Sequence, residues 1–464
     1  MTTGLNFAYL VASLCFILTL QQMSSAKTAR RGVLLGVIGM TAAVLGTAVL
    51  HTDVTTYRWI GAGFVLGSLI GTAMSFIPMT KMPERIALSH CFGGLAAALV
   101  GIAEFMHHLD SNHMDSVTAG ALGFEVYFGL ITFTGSLMAF GKLQGFITGA
   151  PVTYPGQNVI NVTMFAAALV GLIWVVIDPS QFHVFLGIGL VGLLLGVLFV
   201  LPIGGADMPV VISLLNSYAG LAAAATGFAL NNNVLIIAGA LDGTSGVFLS
   251  IMMSKAMNRS FANVLFGAFG TGGGEAPAPA AGGAPALTNA NINQATVEEA
   301  AELFKSAQSV IVIPGYGMAV SQAQHAVREL AEALEANGCT VRYAIHPVAG
   351  RMPGHMNVLL AEANVPYEQL FDLDDINDDF RQTDIALIVG ANDIVNPAAK
   401  TTPSSPIYGM PVFNVEQSRT VMVLKRGLGS GFSGIENDLF VQPNTIMVLG
   451  DARKTLGAII SELG

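Results

Sequence analysis

Ser309-Val-Ile-Val-Ile-Pro-Gly-Tyr-Gly-Met-Ala-Val320 is a short apolar run that breaks into a Gly-x-Gly-x-x-Val turn at Gly315. A run of this length reads as a strand buried on both faces, and the turn reads as the entry to a helix. Glycine at positions 315 and 317 permits a tight turn and lets a phosphate approach backbone N–H groups; Val320 stands where the dinucleotide fingerprint has its third glycine. Alone the pattern is a weak signal. Its setting between a strand and a helix makes it a dinucleotide signal.

The alternation continues on both sides. Val297 to Ala307 reads as a short helix upstream, and Val320 to Asn337 as a helix ended by Gly338. Thr340 to His346, Ile385 to Val389, Pro411 to Val415, Thr420 to Leu424 and Ile446 to Leu449 read as strands, and Arg453 to Leu463 as a closing helix. Such a pattern implies an α/β Rossmann-like domain with a parallel sheet, its ligands at the carboxyl ends of the strands. After the second strand no acid waits for a ribose 2′-OH; the chain has His346-Pro-Val-Ala-Gly-Arg-Met-Pro-Gly-His355 instead. Lys425-Arg426 closes a later strand ahead of a glycine-rich stretch, Gly427 to Gly434. A basic pair on the carboxyl edge suits a 2′-phosphate, so NADP is favoured over NAD.

Working back from this domain, residues 261–290 are rich in Gly, Ala and Pro and read as a solvated tether. Before it lies a different kind of chain. Residues 1–260 hold nine apolar runs, approximately 4–21, 33–50, 58–77, 86–106, 119–140, 159–177, 182–202, 208–229 and 233–254, each close to the roughly 20 residues that cross a hydrocarbon core. The organisation expected is thus a membrane bundle of about nine spans (1–260), a linker (261–290) and a Rossmann-like domain (291–464). The first run lacks a basic flank and a small-residue cleavage site, so it reads as a retained span. Lys27, Arg30, Arg31, Lys81, Arg85, Lys142, Lys255 and Arg259 fall on one side under the nine-span count, and only Arg58 on the other. Basic loops stay inside, so the N-terminus is expected outside and the α/β domain in the cytoplasm.

Charge divides the same way. Up to Arg259 there are nine basic and nine acidic residues; beyond it there are eleven and twenty-one, which accounts for the whole net charge of −10. That acidic half argues against nucleic acid as a partner. Cys15, Cys91 and Cys339 are widely spaced and suggest neither disulfides nor a metal site. His107, His108 and His113 lack a ligand spacing, so no metal is expected. Glycine rows at 63, 67 and 71 and at 192 and 196 permit close helix approach, most simply packing within the bundle.

Polar groups at depth are the informative residues of the membrane half, because hydrocarbon penalises them. His90 lies inside the fourth span, and Glu104, fourteen positions on, returns to nearly the same face. Glu125 and Ser136 share a face of the fifth span; Asn216 lies about 12 Å into the eighth, with Asp207 at that span's entrance. These groups either satisfy one another in a static bundle or line an ion or proton path. Histidine favours the path, since its pKa lies near the working pH.

With these stretches in view, the chain resembles, from end to end, the beta subunit of proton-translocating NAD(P) transhydrogenase. The resemblance is carried by Gly204-Gly-Ala-Asp-Met-Pro-Val, Leu215-Asn-Ser-Tyr, Lys255-Ala-Met-Asn-Arg-Ser-Phe, Pro314-Gly-Tyr-Gly-Met-Ala, the long run from His346 to Ala363, Gly390-Ala-Asn-Asp-Ile-Val-Asn-Pro-Ala-Ala and Val423-Leu-Lys-Arg. It implies hydride transfer from NADH to NADP⁺, of the AB stereospecific type, coupled to inward proton movement. It implies NADP(H) bound here in reversed orientation, and NAD(H) bound on a partner alpha subunit, with a dimer of alpha-beta units in a bacterial inner membrane.

Carried over by motif, the cofactor contacts would be Gly315, Tyr316, Gly317, Val348, Ala349, Gly350, Arg351, Met352, Pro353, Gly390, Ala391, Asn392, Asp393, Ile394, Gly409, Met410, Lys425, Arg426, Gly427, Leu428, Gly429, Ser430, Gly431, Phe432, Asp451 and Ala452. Asp393 would lie near the nicotinamide. His90, Ser136 and Asn216 would belong to the proton path, with Asp207 and Arg259 at its cytoplasmic mouth. Ile394 and Phe432 replace residues that are often Thr and Tyr in the family, so a hydrogen bond from each is missing. The competing class is an ion channel or transporter gated by an NADP-sensing domain, which would work without an NADH-binding partner.

Overall fold

The computed structural model describes residues 2–25, 28–50, 57–78, 81–111, 114–149, 151–205, 207–257, 261, 292–352, 354–403, 405, 407–429, 431 and 433–464. The expected linker, apart from Phe261, lies outside these residues, as do Arg259, Pro353, Ser430, Phe432 and His113. The chain divides into two compact units, the first reaching Ile251 and the second containing the α/β region.

In hydrocarbon every backbone N–H and C=O must be bonded within its own segment, which makes apolar runs helical. Among the described residues the first unit contains nine long helices: α1 (Thr2–Met23), α2 (Ala29–Leu50), α3 (Tyr57–Ser75), α4 (Met82–Ser111), α5 (Ser116–Gln144), α6 (Gln157–Ile177), α7 (Phe182–Val200), α8 (Met208–Ala229) and α9 (Asn233–Ala256). Eight are long and apolar enough to cross a membrane; α3, which opens on Tyr57 and Arg58 and carries four glycines, is not among them. At 30 and 29 residues, α4 and α5 outrun the expected spans. The carboxylate of Asp115 fixes the start of α5 by accepting from Val117 N at 3.2 Å and Thr118 N at 3.4 Å, and Gly145, at φ 80°, ends it.

The bundle core runs through α4, α5, α7 and α8, with Phe105, Leu122, Phe185, Met208 and Leu215 fully buried. Helices approach closely where a side chain is absent. A Cβ on Gly196 of α7 would lie 2.5 Å from Ile131 O of α5, and one on Gly220 of α8 would lie 2.3 Å from Gly243 N of α9. The row Gly63, Gly67 and Gly71 departs from the packing expected of it. No described residue lies within 4 Å of a Cβ built there, and α3 buries no residue. Lys142, near the end of α5, donates to Leu201 O (2.5 Å) and Ile203 O (2.7 Å), so its ammonium caps the carboxyl end of α7.

The second unit is a six-stranded, wholly parallel sheet. After α10 (Val297–Ser306), closed at its start by a Thr296–Glu299 capping box, come β1 (Ser309–Pro314), α11 (Tyr316–Ser321), α12 (Gln324–Ala336), β2 (Thr340–Ile345), α13 (His355–Glu362) and β3 (Leu370–Asp372). β4 (Ile385–Val389), β5 (Thr420–Lys425), β6 (Thr445–Leu449) and α14 (Ala452–Leu463) complete it, in the order β3-β2-β1-β4-β5-β6. Strands β1 and β4 are buried almost throughout, as central parallel strands are.

Two expectations are corrected. The helix read over Val320 to Asn337 is two helices, because Gln322 takes a left-handed φ of 51° between them. Pro411 to Val415 is not a strand. Pro411 has no N–H, Phe413 N donates to Ile394 O (3.0 Å) and Asn414 N to Asn377 Oδ1 (2.7 Å), so the donors leave the ladder. The sixth place is filled by β3.

Gly220→Ala is expected to force α8 and α9 apart and cost about 1–3 kcal/mol, read as a lower thermal midpoint of the purified chain in detergent. Gly67→Ala, facing open space, should change that midpoint by less than about 0.5 kcal/mol equivalent.

Candidate functional site

The strand order reverses between β1 and β4, and the crevice outside their carboxyl ends is where such sheets bind ligands. Here the turns leaving the two strands touch backbone to backbone. Gly315 N donates to Val389 O at 2.9 Å and Gly317 N to Gly390 O at 2.8 Å. Gly390 sits at φ 66°, and a Cβ there would lie 2.4 Å from Gly317 Cα, so the position requires glycine twice over. Tyr316 opens α11, and the Arg351 guanidinium lies 4.4 Å from the centre of its ring.

The glycine-rich stretch after β5 folds back onto the turn after β4. Asp393 accepts from Ser433 N (2.9 Å) and Ser433 Oγ (2.7 Å), one carboxylate oxygen each. Asn437 Nδ2 donates to Asn392 O and Oδ1 at 3.0 and 3.1 Å, and Asn396 Nδ2 to Glu436 O at 3.0 Å. Gly431 fits against Asn392 and Asp393 only because it has no Cβ, whereas Gly427 and Gly429 face open space. Neither Ser433 nor Asn437 was singled out from the sequence. The signal lay in polar residues just beyond a glycine run, which reads there as ordinary loop composition.

Lys425 turns its ammonium inward, donating to Gly429 O at 2.6 Å and lying 4.8 Å from the centre of the Phe440 ring. Burial lowers its pKa, and the Asp393 carboxylate opposes that. Arg426 points outward and pairs with Asp451 at 3.6 Å; Asp451 caps α14 by accepting from Lys454 N, and Ala452 is buried at that helix's start. The pair thus splits, with Lys425 turned into the loop and Arg426 at the surface beside Asp451.

After β2 the chain wraps around two buried histidines. His346 Nδ1 accepts from Val348 N (3.3 Å) and its Nε2 meets Pro411 O (2.8 Å), a pattern that needs the neutral, Nε2-protonated ring. His355 Nδ1 accepts from Arg351 N at 3.0 Å, so its proton is on Nε2, which is buried without a partner among the described residues. Gly350, at φ 109°, lets the loop close over His355; Ala349 and Met352 are buried there. Burial pushes both imidazoles down to about 4, helped at His355 by Arg351 and opposed at His346 by the bond to Pro411.

The predicted contacts from β1, β2, β4, β5 and β6 therefore gather along one edge of the sheet. An orphaned Nε2–H at His355, an Nδ2 at Asn392 unpartnered among the described residues, and the guanidinium of Arg426 form a donor set that fits a phosphate-bearing ligand, with open space beside Gly427 and Gly429. Gly409, at φ 81°, and Met410 stand apart: they line a groove of about 440 Å³ with Asn377, Lys400 and Tyr408. Ile394 is buried and passes its carbonyl to Phe413 N.

In the membrane unit, helix register brings distant residues level. On the antiparallel pair α4 and α5, Gly94 meets Gly129 and Thr132, and Gly101 meets Val126 and Glu125. One turn before Gly94 is His90, and one turn after Thr132 is Ser136, so the two share a level. On α8, Leu215 packs against Gly135, and its carbonyl lies 3.5 Å from Thr132 Oγ1, which places Asn216 beside that same level. His90 Nδ1 and Ser136 Oγ are buried without hydrogen-bond partners among the described residues. Asn216 Nδ2 reaches across to Asp242 Oδ1 of α9 at 3.0 Å.

A second level, toward the other end of α5, holds Glu125 with Glu104 and Thr226 as its polar neighbours; the Thr226 hydroxyl donates to Ala222 O, and both Glu125 oxygens are buried with no hydrogen bond in good geometry among the described residues. Asp207 occupies the N-cap position of α8. The sequence reading missed Asp242, although a carboxylate within an apolar run of this length was a readable signal.

The family model described as NAD(P) transhydrogenase beta subunit matches residues 5–462. Two relatives, both NAD(P) transhydrogenase subunit beta from Rhodospirillum rubrum, are each 48% identical over 472 residues, with the whole of both chains covered.

Two outcomes are expected of this site. A buried histidine whose folded pKa is below its unfolded value gives stability that is whole above about pH 6.5 and is lost as pH falls from there toward the folded value. The α/β unit should weaken between about pH 6.5 and 4, on the order of 1 kcal/mol per pH unit for each of His346 and His355, with a smaller slope in His346→Asn, measured by hydrogen exchange of β2 and β4. Ser433→Ala removes one bond to the Asp393 carboxylate, worth about 1.5–3 kcal/mol. Amides of the Gly427–Gly434 loop should then exchange roughly tenfold faster or more, with β4 unchanged.

Proposed function

Because the chain belongs to the NAD(P) transhydrogenase beta subunit family, we propose that it is the NADP(H)-binding, proton-translocating part of a two-subunit enzyme. In this reading an alpha subunit holds NAD(H), hydride passes from NADH to NADP⁺ with AB stereochemistry, and a proton moves inward as it does. The observation that carries the reading is the pairing, in one chain, of two polar levels inside an apolar bundle with a doubly wound sheet whose edge gathers phosphate-binding donors.

The nicotinamide, when bound, supplies the hydride-accepting carbon; the chain's residues supply position and exclude water. Arg426 and the start of α14 hold the 2′-phosphate, so the cofactor lies reversed relative to ordinary Rossmann domains. The turn from Gly390 to Ile394 carries Asp393 to the nicotinamide end, and Ser433 fixes the orientation of that carboxylate. Lys425, bonded to Gly429 O, keeps the glycine-rich loop folded over the site. Tyr316 and Arg351 stack at the mouth, and Val348 to Met352 close the far side.

In the bundle, His90 takes up and releases the proton at its imidazole, Ser136 and Asn216 orient it, and Asp207 and Arg259 stand at the cytoplasmic mouth. Nine crossings put the N-terminus outside and the α/β unit in the cytoplasm of a bacterial inner membrane. That requires α3 to span as well, and its 19 residues reach about 28 Å. Two alpha-beta units form the working complex.

The reconstituted complex should reduce NADP⁺ with NADH and take up protons into vesicles, and the chain alone should do neither. Arg426→Ala should weaken NADP(H) binding roughly 10–100-fold, the worth of a charge-assisted bond, and leave NAD(H) binding as it was. Equal affinity of the unaltered α/β unit for NADP and NAD would overturn the cofactor assignment. His90→Ala should abolish proton uptake while NADP(H) still binds.

A further inference from the structure

Asp242 is an intramembrane carboxylate that the path just described leaves out. It stands nine residues beyond the start of α9, about 14 Å along the helix, and Asn216 stands eight residues into α8, about 12 Å along. Both are therefore deep between the ends of their helices. Asn216 Nδ2 donates to Asp242 Oδ1 at 3.0 Å, the one hydrogen bond described for that carboxylate. By surface area Asp242 is an exposed residue, although protein atoms crowd around its carboxylate on the side of Asn216.

An ionised carboxylate at that depth costs several kcal/mol in hydrocarbon, and protonation removes the charge that causes the cost. The position is tenable in two conditions, with a proton bound or with water or a polar lining against it. The bond is not needed to hold α8 to α9. That seam is already closed by the Gly220–Gly243 contact and by Ser213 Oγ donating to Gly246 O and Ser250 Oγ to Val210 O, each at 3.1 Å.

We propose that Asp242 is a proton-binding site of the translocation path, coupled through Asn216 to the level that holds Ser136 and His90; this rests on the proton coupling proposed above. The step is proton exchange alone. One O–H bond forms at the carboxylate as a proton arrives from water, and the same bond breaks as it leaves, so no other reactant is needed. Asn216 serves both states, because its amide donates N–H to the carboxylate and, turned over, offers Oδ1 to the carboxyl O–H.

Other ionisable groups on the helices packed here are Asp207 and Tyr218 on α8, Lys255 on α9, Tyr9 and Cys15 on α1, Arg30 and Arg31 on α2, Glu84, Arg85, His90, Cys91, Glu104, His107, His108 and Asp110 on α4, and Glu125, Tyr127 and Lys142 on α5. Tyr9 bonds Thr47 and Asn232, and the Tyr218 ring packs on Phe128, 5.1 Å between centres. Asp207 and Lys255 are roughly 13 and 20 Å away along the helices. Asn216 remains the neighbour that responds to the proton.

The test uses the complex with its alpha subunit in vesicles, following hydride transfer and proton uptake together. Asp242→Asn should lower proton uptake roughly tenfold or more, with NADP(H) still bound but the pH dependence of its affinity flattened as reciprocal linkage requires, and Asp242→Glu should recover most of both. In the wild type, a hydrophobic carbodiimide, which reacts with protonated carboxyls in apolar surroundings, should modify Asp242, faster at lower pH, with the adduct located by mass spectrometry. That measurement stands even where Asp242→Asn fails to fold. Wild-type proton uptake in Asp242→Asn, or no adduct at Asp242, overturns the proposal. Hydride transfer without proton uptake in the wild type would instead overturn the functional reading on which it rests.

Discussion

Backbone meeting backbone, with no Cβ between, is the constraint on which both units depend. In the membrane unit there is no hydrophobic drive between helices, so association relies on close van der Waals contact. In the α/β unit the turns after β1 and β4 meet where Gly390 faces Gly317 at a separation no side chain would allow. The consequence in each case is rigid registration. Gly94 against Gly129 sets which residues of α4 and α5 share a level, as Gly390 against Gly317 sets where Asp393 begins. Polar groups are then placed by backbone geometry that tolerates little slip.

That registration explains why the polar groups fall into levels. His90, Ser136 and Asn216 come from three helices and are separated by up to 126 positions in sequence, yet contacts within one turn of each place them at a common level. An unpartnered buried hydroxyl or imidazole costs about 1–3 kcal/mol. A static bundle would evolve that cost away by apolar replacement. In the proposed function, His90 Nδ1, Ser136 Oγ and both Glu125 oxygens, unpartnered among the described residues, are places for water or a proton.

Much of this was legible from the sequence. Period and run length gave every membrane helix to within a few residues, and the short apolar strands gave the parallel sheet, because burial on both faces writes itself into composition. Pro411 to Val415 misled for the same reason. Val412, Phe413 and Val415 are buried, but the segment spends its donors on Ile394 and Asn377, and hydropathy does not report where an N–H goes. β3 escaped notice because Leu370–Asp372 is a three-residue edge strand ending on an acid. At the site, Lys425-Arg426 read as a uniform basic pair, whereas the fold turns one inward and one outward, a difference set by pleat and loop closure. The glycine row on α3 read as internal packing; its spacing was right, but no spacing says which surface a row will face.

The proposed function requires proton movement and cofactor binding to be linked, and elementary energetics bounds how that can be done. Moving one proton against 100 mV takes about 2.3 kcal/mol. Binding linkage is reciprocal, so whatever the proton does to cofactor affinity the cofactor does equally to proton affinity. The part that converts one into the other must therefore hold two arrangements separated by a few kcal/mol. A packed sheet is too stiff for that, and a bare loop too soft. The glycine-rich loop after β5, held to Asp393 by two charge-assisted hydrogen bonds and to Asn392 by two more, falls between them. Each bond to the carboxylate contributes about 1.5–3 kcal/mol, so in the proposed function loosening one of them is comparable in scale with moving one proton against 100 mV.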